Sequence, residues 1–275
     1  MVLGHTQHVE HLIAVFVFFF GLLFGSFMNV LALRFGFTEM PRHRSGCQAC
    51  AHELRWFELV PVLSYVVLRG RCSACGSAIA AQYPLVELLV GALFTATYLA
   101  AWPFLSIWHM LSFAALLVFW TSFVLLLIYD IRHTLVPTAF VVWLALSASA
   151  VRLSEAAFVG NLFPLQDALL GAFLLGGAFF LLVLVTRGKG IGLGDVYVAT
   201  ALGVLFGAGR GIEVVTLAFW IGATVGIALV LAKRQVRMKS EVPFIPFLFV
   251  AAVLGAYTAI SPFTLVSTVT ALLMP

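Results

Sequence analysis

Charge is what this 275-residue chain lacks: 9% of its residues are Asp, Glu, Lys or Arg, 63% belong to the hydrophobic set, and mean hydropathy is +1.12. Soluble domains carry about 25% charged residues, so the deficit excludes a globular cytosolic enzyme, a disordered chain and a nucleic-acid binder. Strand-like alternation is missing too, because the apolar runs are longer and more continuous than those of barrel strands. Cysteine is absent everywhere except one short segment, where all four residues fall. The first apolar run also lacks a basic stretch before it, which argues against a cleaved signal peptide. The lipid bilayer is therefore the main solvent, and no nucleic acid is expected as a partner.

A hydrocarbon core about 30 Å thick takes about 20 apolar residues at about 1.5 Å rise. That ruler predicts spans near 12–33, 83–102, 108–129, 135–153, 166–186, 196–208, 212–232 and 244–261, with a further apolar stretch at 263–274. Basic residues are retained on the cytoplasmic side. With eight spans, 13 of the 15 Lys and Arg residues fall on one face, leaving Arg152 and Arg210 opposite. The N-terminus is thus expected outside and the first large loop inside. The fold class expected is an all-α polytopic membrane protein of about eight transmembrane helices. Its segments are 1–35 (N-terminal segment and first helix), 36–82 (a cytosolic domain) and 83–275 (the helical membrane domain).

Residues 36–82 are too few to fold on a hydrophobic core alone. They contain Cys47-Gln-Ala-Cys50 and Cys72-Ser-Ala-Cys75, two C-x2-C pairs at zinc-ribbon spacing. Each pair makes a knuckle of two thiolates, and two knuckles complete a tetrahedron around one ion, whose binding supplies the missing folding energy. With Cys47, Cys50, Cys72 and Cys75 all used as ligands, the zinc is structural. Two disulfides are the other reading, disfavoured by a reducing cytosolic location.

Ionised side chains inside spans are costly. Asp130 closes the third expected span in Tyr129-Asp130-Ile131-Arg132, and Asp195 opens the sixth in Gly192-Leu193-Gly194-Asp195. Span parity puts both at the cytoplasmic face. Two carboxylates there can act as a dyad sharing a proton, one as base on a water and one as acid toward a peptide. Alternatively, Asp195 caps its helix and Asp130 pairs with Arg132. Glu87 either orients a reactant or partners a loop arginine.

These segments, with Gly25-Ser26-Phe27-Met28-Asn29-Val30, Glu58-Leu59-Val60-Pro61-Val62-Leu63-Ser64-Tyr65, Arg69-Gly70-Arg71-Cys72, Tyr83-Pro84-Leu85-Val86-Glu87 and Pro243-Phe244-Ile245-Pro246-Phe247, follow one another in a specific order. In that order the chain resembles the bacterial type IV prepilin peptidases over nearly its whole length. The resemblance implies an intramembrane aspartic peptidase of the G-x-G-D class with Asp130 and Asp195 as the catalytic pair. It implies substrates that are prepilin or pseudopilin precursors cut after a glycine, and, in bifunctional members, methylation of the new N-terminus from S-adenosylmethionine. The cysteine domain is associated with that second activity. The chain departs from the family at Tyr197, where Lys is common, and at Thr138, where an acidic or amide residue is usual. A non-catalytic transporter or assembly scaffold with a zinc-stabilised docking loop is the competing expectation.

Overall fold

A long apolar run in lipid can satisfy its backbone only internally, and here such runs form helices. The structure, a computed structural model, describes residues 2–35 (backbone only for 2–8), 45–104, 106–188, 191–232, 243–258, 260 and 262. Its helices are α1 (Val2–Arg34), α2 (Leu63–Val67), α3 (Gln82–Ala101), α4 (Ile107–His133), α5 (Thr138–Val159), α6 (Phe163–Thr186), α7 (Leu193–Leu231) and α8 (Ile245–Tyr257). Six of them, α1 and α3 to α7, are long and apolar enough to cross a membrane. The basic residues Arg42, Arg44, Lys189, Lys233, Arg234, Arg237 and Lys239 and the apolar stretch 263–274 lie outside the described residues.

The chain divides into two compact units, Met1–Trp102 and Pro103–Pro275. In the first, α1 packs on α3 through Gly21, Gly25 and Gly91, where the two backbones approach closely. Asn29 adds a polar tie, its amide donating to the Gly25 and Tyr83 carbonyls at 3.3 and 3.2 Å. The cysteine-bearing segment lies between these two helices in sequence and belongs to the same unit.

The second unit holds α4 to α8. At 39 residues, α7 would extend about 58 Å if straight, twice the hydrocarbon thickness. It is broken at Gly207, whose φ of 72° and ψ of −172° lie in a region open only to glycine. Residues eight apart in a straight helix are separated by about 12 Å. A Cβ on Gly211, however, would lie 3.8 Å from the Gly203 Cα. The chain therefore doubles back. α6 packs on both limbs, with Gly171 against Gly203 and Gly207, Gly176 against Thr200, Leu175 against Gly211, and Phe179 with its ring 5.9 Å from that of Phe219. Limbs 193–206 and 208–231 correspond to the sixth and seventh expected spans, but no loop separates them. The eighth, α8, is only 13 residues long and ends at Tyr257.

Breaking a helix leaves an amide and a carbonyl unserved, which inside a bilayer is costly. The pair that Ala208 N–H and Val204 C=O would form in a continuous helix is taken over by an ion pair from two other helices. The Asp167 carboxylate accepts from Ala208 N–H at 3.1 Å, and Arg152 Nε donates to the Val204 carbonyl at 3.1 Å. Arg152 also contacts Asp167 at 3.7 Å and Glu155 at 2.9 Å. Nearby in sequence, Arg210 donates to the Gly255 carbonyl at 2.8 Å and the Thr258 carbonyl at 2.9 Å, closing the C-terminus of α8. Both basic residues that break the charge asymmetry thus have specific backbone partners.

Candidate active site

Asp130 sits in the last turn of α4, which ends at Thr134 in a left-handed conformation (φ 50°). The side chain is buried, and its Oδ2 has no hydrogen-bond partner among the described residues. The backbone N–H of Ile245, the first residue of α8, reaches the same carboxylate. Asp195 is the third residue of α7 and half-buried; its Oδ2 accepts the Gly192 N–H at 3.1 Å. It therefore does cap its helix, as one reading of the sequence expected, and leaves Oδ1 for other work.

The turn after α4 and the start of α7 are pressed together at Gly194, where a Cβ would collide with the Val136 side chain. That contact brings the two carboxylates to one end of the bundle, near enough for the charge of Asp195 to act on Asp130. The Arg152–Asp167 pair lies at the far end of α7's first limb. A buried carboxylate with a free oxygen, within electrostatic reach of a second, partly solvated carboxylate, is suited to polarise a water. Sequence reasoning missed Ile245 N–H and Val136, because both act from segments remote from the motifs they support.

In the first unit, the four cysteine sulfurs lie within 4.8 Å of one another, with Cys47 and Cys75 Sγ 3.9 Å apart. A tetrahedral zinc with Zn–S bonds of about 2.3 Å sets S···S distances of about 3.8 Å, so the cluster fits that ion. All four are free thiols. The two knuckles are built alike. Cys47 N–H bonds to His52 C=O at 2.9 Å and Cys72 N–H to Ser77 C=O at 2.8 Å; the carbonyls of the two cysteines accept from Ala51 and Gly76. Ala51 and Gly76 both have left-handed φ values, 64° and 71°. The Ser77 hydroxyl, 3.5 Å from Cys47 Sγ and 3.1 Å from Cys75 Sγ, holds both thiols below the ordinary value, Cys47 at about 6. Thiols lowered in this way are ready ligands.

Two glutamates fix this segment. Glu58 is buried and accepts from Arg55 N–H at 2.7 Å and from the Ser73 hydroxyl, with His52 Nε2 at 3.5 Å, so it binds the two knuckles to each other. The Arg55 N–H first, and then Ser73, hold its carboxyl below the usual range. Glu87, buried in α3, accepts the Val62 N–H at 2.7 Å and bonds the Ser26 hydroxyl. Its partners are thus a backbone amide and a hydroxyl. Val62 has φ 60° and ψ −50°, and Leu63 N–H bonds to Pro61 C=O at 2.6 Å, a strained γ-turn in a β-branched residue.

Comparison with known proteins places these features in one context. Residues 19–101 match the bacterial peptidase A24 N-terminal domain, and residues 116–227 match the type IV leader peptidase family. The chain is 34% identical over 236 residues to a prepilin leader peptidase/N-methyltransferase of Myxococcus xanthus, covering 84% of this chain and 67% of that protein. Proteins of the same description from Stutzerimonas stutzeri and Pseudomonas aeruginosa are each 32% identical, covering 84% of this chain and 86% and 85% of theirs. No solved structure matches.

Proposed function

Because this chain belongs to the prepilin leader peptidase/N-methyltransferase family, we propose that Asp130 and Asp195 are the catalytic pair that removes the leader from prepilins and pseudopilins. The observation that carries the assignment is the buried Asp130 carboxylate with an unpartnered oxygen, facing the charge of Asp195 at one end of the helical bundle. The protein is a multi-pass inner-membrane enzyme, and we read this pair, and separately Arg34 with the cysteine domain, as cytoplasmic from the basic residues of their flanking loops. A prepilin, with a basic leader and an apolar helix, lies across the membrane with its cleavage point at that same interface.

Hydrolysis then follows from the residues. The substrate helix unwinds locally, helped by the glycine before the scissile bond. One carboxylate of the pair takes a proton from water as it attacks the carbonyl carbon, and the other gives its proton to the departing amine. The Gly192 N–H and Ile245 N–H hold the two carboxylates in place during the exchange.

The second activity methylates the new N-terminal amine, and its methyl donor is S-adenosylmethionine. An α-amino group has a reference pKa of about 7.7–8.0, so modest desolvation leaves it neutral and nucleophilic. We assign this activity to the segment built on Cys47, Cys50, Cys72 and Cys75. Zinc bound there would be structural: it would fix the two knuckles and leave no open coordination position. Nothing favours the transporter or scaffold reading.

The test is incubation of the detergent-purified protein with a synthetic prepilin carrying a Gly-Phe junction, followed by mass spectrometry. Asp130→Asn and Asp195→Asn should each abolish cleavage while the protein stays folded and metal-loaded. Cleavage retained in both single variants would sink the assignment. Wild-type product should gain one methyl group only when S-adenosylmethionine is present, and metal analysis should give about one zinc per chain.

A further inference from the structure

The segment between the two knuckles exposes apolar side chains that no function described above uses. Trp56, in a 3₁₀ turn (Trp56–Leu59), is 80% exposed, and Phe57 and Leu59 beside it are also open. On α2, Leu63, Val66 and Val67 are exposed at i, i+3 and i+4, hence on one face. Three arginines flank the patch: Arg55 before it and Arg69 and Arg71 after it, all exposed.

The depth of this patch is set by the Glu87 hydrogen bond. α3 has 20 residues, about 30 Å, which matches the hydrocarbon thickness. Glu87 lies five residues inside its first residue, about 7.5 Å along the axis. Ser26, which bonds the same carboxylate, lies eight residues before the end of α1 at Arg34, about 12 Å along that axis. The Val62 N–H reaches down to Glu87 at 2.7 Å. The γ-turn, with α2 directly after it, is therefore held below the ends of both helices, at a level where the exposed apolar side chains of α2 are better covered by lipid than by water.

We propose that residues 56–67 form a wedge that inserts among the phospholipids of the leaflet where α1 ends and α3 begins. Trp56, Phe57, Leu63, Val66 and Val67 enter the boundary between headgroups and acyl chains, and Arg55, Arg69 and Arg71 meet anionic headgroups. Interfacial segments bury their apolar face about 5–10 Å into this boundary, and the position of Glu87, about 7.5 Å inside α3, falls within that depth. Tryptophan prefers that level, and clustered arginine beside it favours anionic lipid. The two-point attachment to α1 and α3 through Glu87 explains how a segment with so strained a turn keeps its shape.

The experiment is tryptophan quenching in lipid nanodiscs holding the full-length protein. The difference between wild type and Trp56→Phe isolates the Trp56 emission from the other five tryptophans. Phospholipids brominated near the top of the acyl chain should at least halve that component, aqueous iodide should leave it nearly unchanged, and the quenching by brominated lipid should be greater in phosphatidylglycerol than in phosphatidylcholine discs. Replacing Arg55, Arg69 and Arg71 together by Gln should remove that lipid preference. Quenching by iodide instead of brominated lipid would place the patch in water, and quenching by neither would place it under protein; either result overturns the proposal. An unchanged lipid preference in the arginine variant would overturn the headgroup contact.

Discussion

Replacing Gly207 by Ala tests whether the fold-back of α7 is held as described. The backbone there (φ 72°, ψ −172°) costs an L-residue about 1–3 kcal/mol. The new Cβ would also collide with the Asp167 carboxylate and approach Arg152 Nη2 to 3.0 Å. Asp167 must then move and release the Ala208 N–H, a hydrogen bond to a charged group worth about 1.5–3 kcal/mol. The two costs together are about 2.5–6 kcal/mol, enough to lower both stability and cleavage, since Asp195 is twelve residues along the same limb. Unfolding in bicelles at increasing denaturant measures the first and the prepilin assay the second. Asp167→Ala alone should lose the hydrogen bond but vacate the space, so the double variant should be less destabilised than the sum of the singles. An unshifted midpoint for Gly207→Ala, or strict additivity of the two, would refute the reasoning.

Three further outcomes are expected. Gly194→Ala should slow cleavage by at least about tenfold, because its Cβ displaces Val136 and with it the start of α7, and Val136→Gly in the same chain should restore part of the rate; no loss in the single variant would disprove the contact. Ala51→Gly should strengthen the metal-bound cysteine domain by about 1 kcal/mol, since glycine carries no penalty at φ 64°, read as slower loss of metal to a chelator. Glu58 has a folded-state pKa below the usual range, so its contribution is fully present above about pH 4.3 and lost as pH falls through the lower folded value. Wild type should therefore resist proteolysis of residues 45–81 better than Glu58→Gln at pH 7, and the gap should shrink below pH 4; a constant gap counts against the carboxylate.

The all-helical membrane architecture, the cysteine tetrad and the placement of the two aspartates at helix ends were legible because each depends on local pattern: run length, C-x2-C spacing, and an acid where apolar residues dominate. What escaped the sequence depends on partners far along the chain. Gly207 was read as the next-to-last residue of the sixth span, but it is the turn itself, and the groups that replace its broken hydrogen bond come from Arg152 and Asp167. Arg152 looked only like an exception to the charge rule. Glu87 was read as an arginine partner or an orienting group, since nothing in Pro61-Val62-Leu63 announces a γ-turn in need of an acceptor. Ile245 N–H reaches Asp130 from an element 115 residues away in sequence.

The loopless tip of α7 also limits how this chain can change in length. Most membrane hairpins can gain or lose residues in their connecting loop without disturbing the helices. Here one residue inserted between Val204 and Ala208 would turn the first limb about 100° relative to the second and shift it about 1.5 Å. Asp195 would swing away from Asp130, and Gly171 and Gly176 would no longer face Gly203 and Thr200, the groups their missing side chains now make room for. Beyond the cost of any one substitution, the residue count at this end is locked to the geometry of the carboxylates at the opposite end.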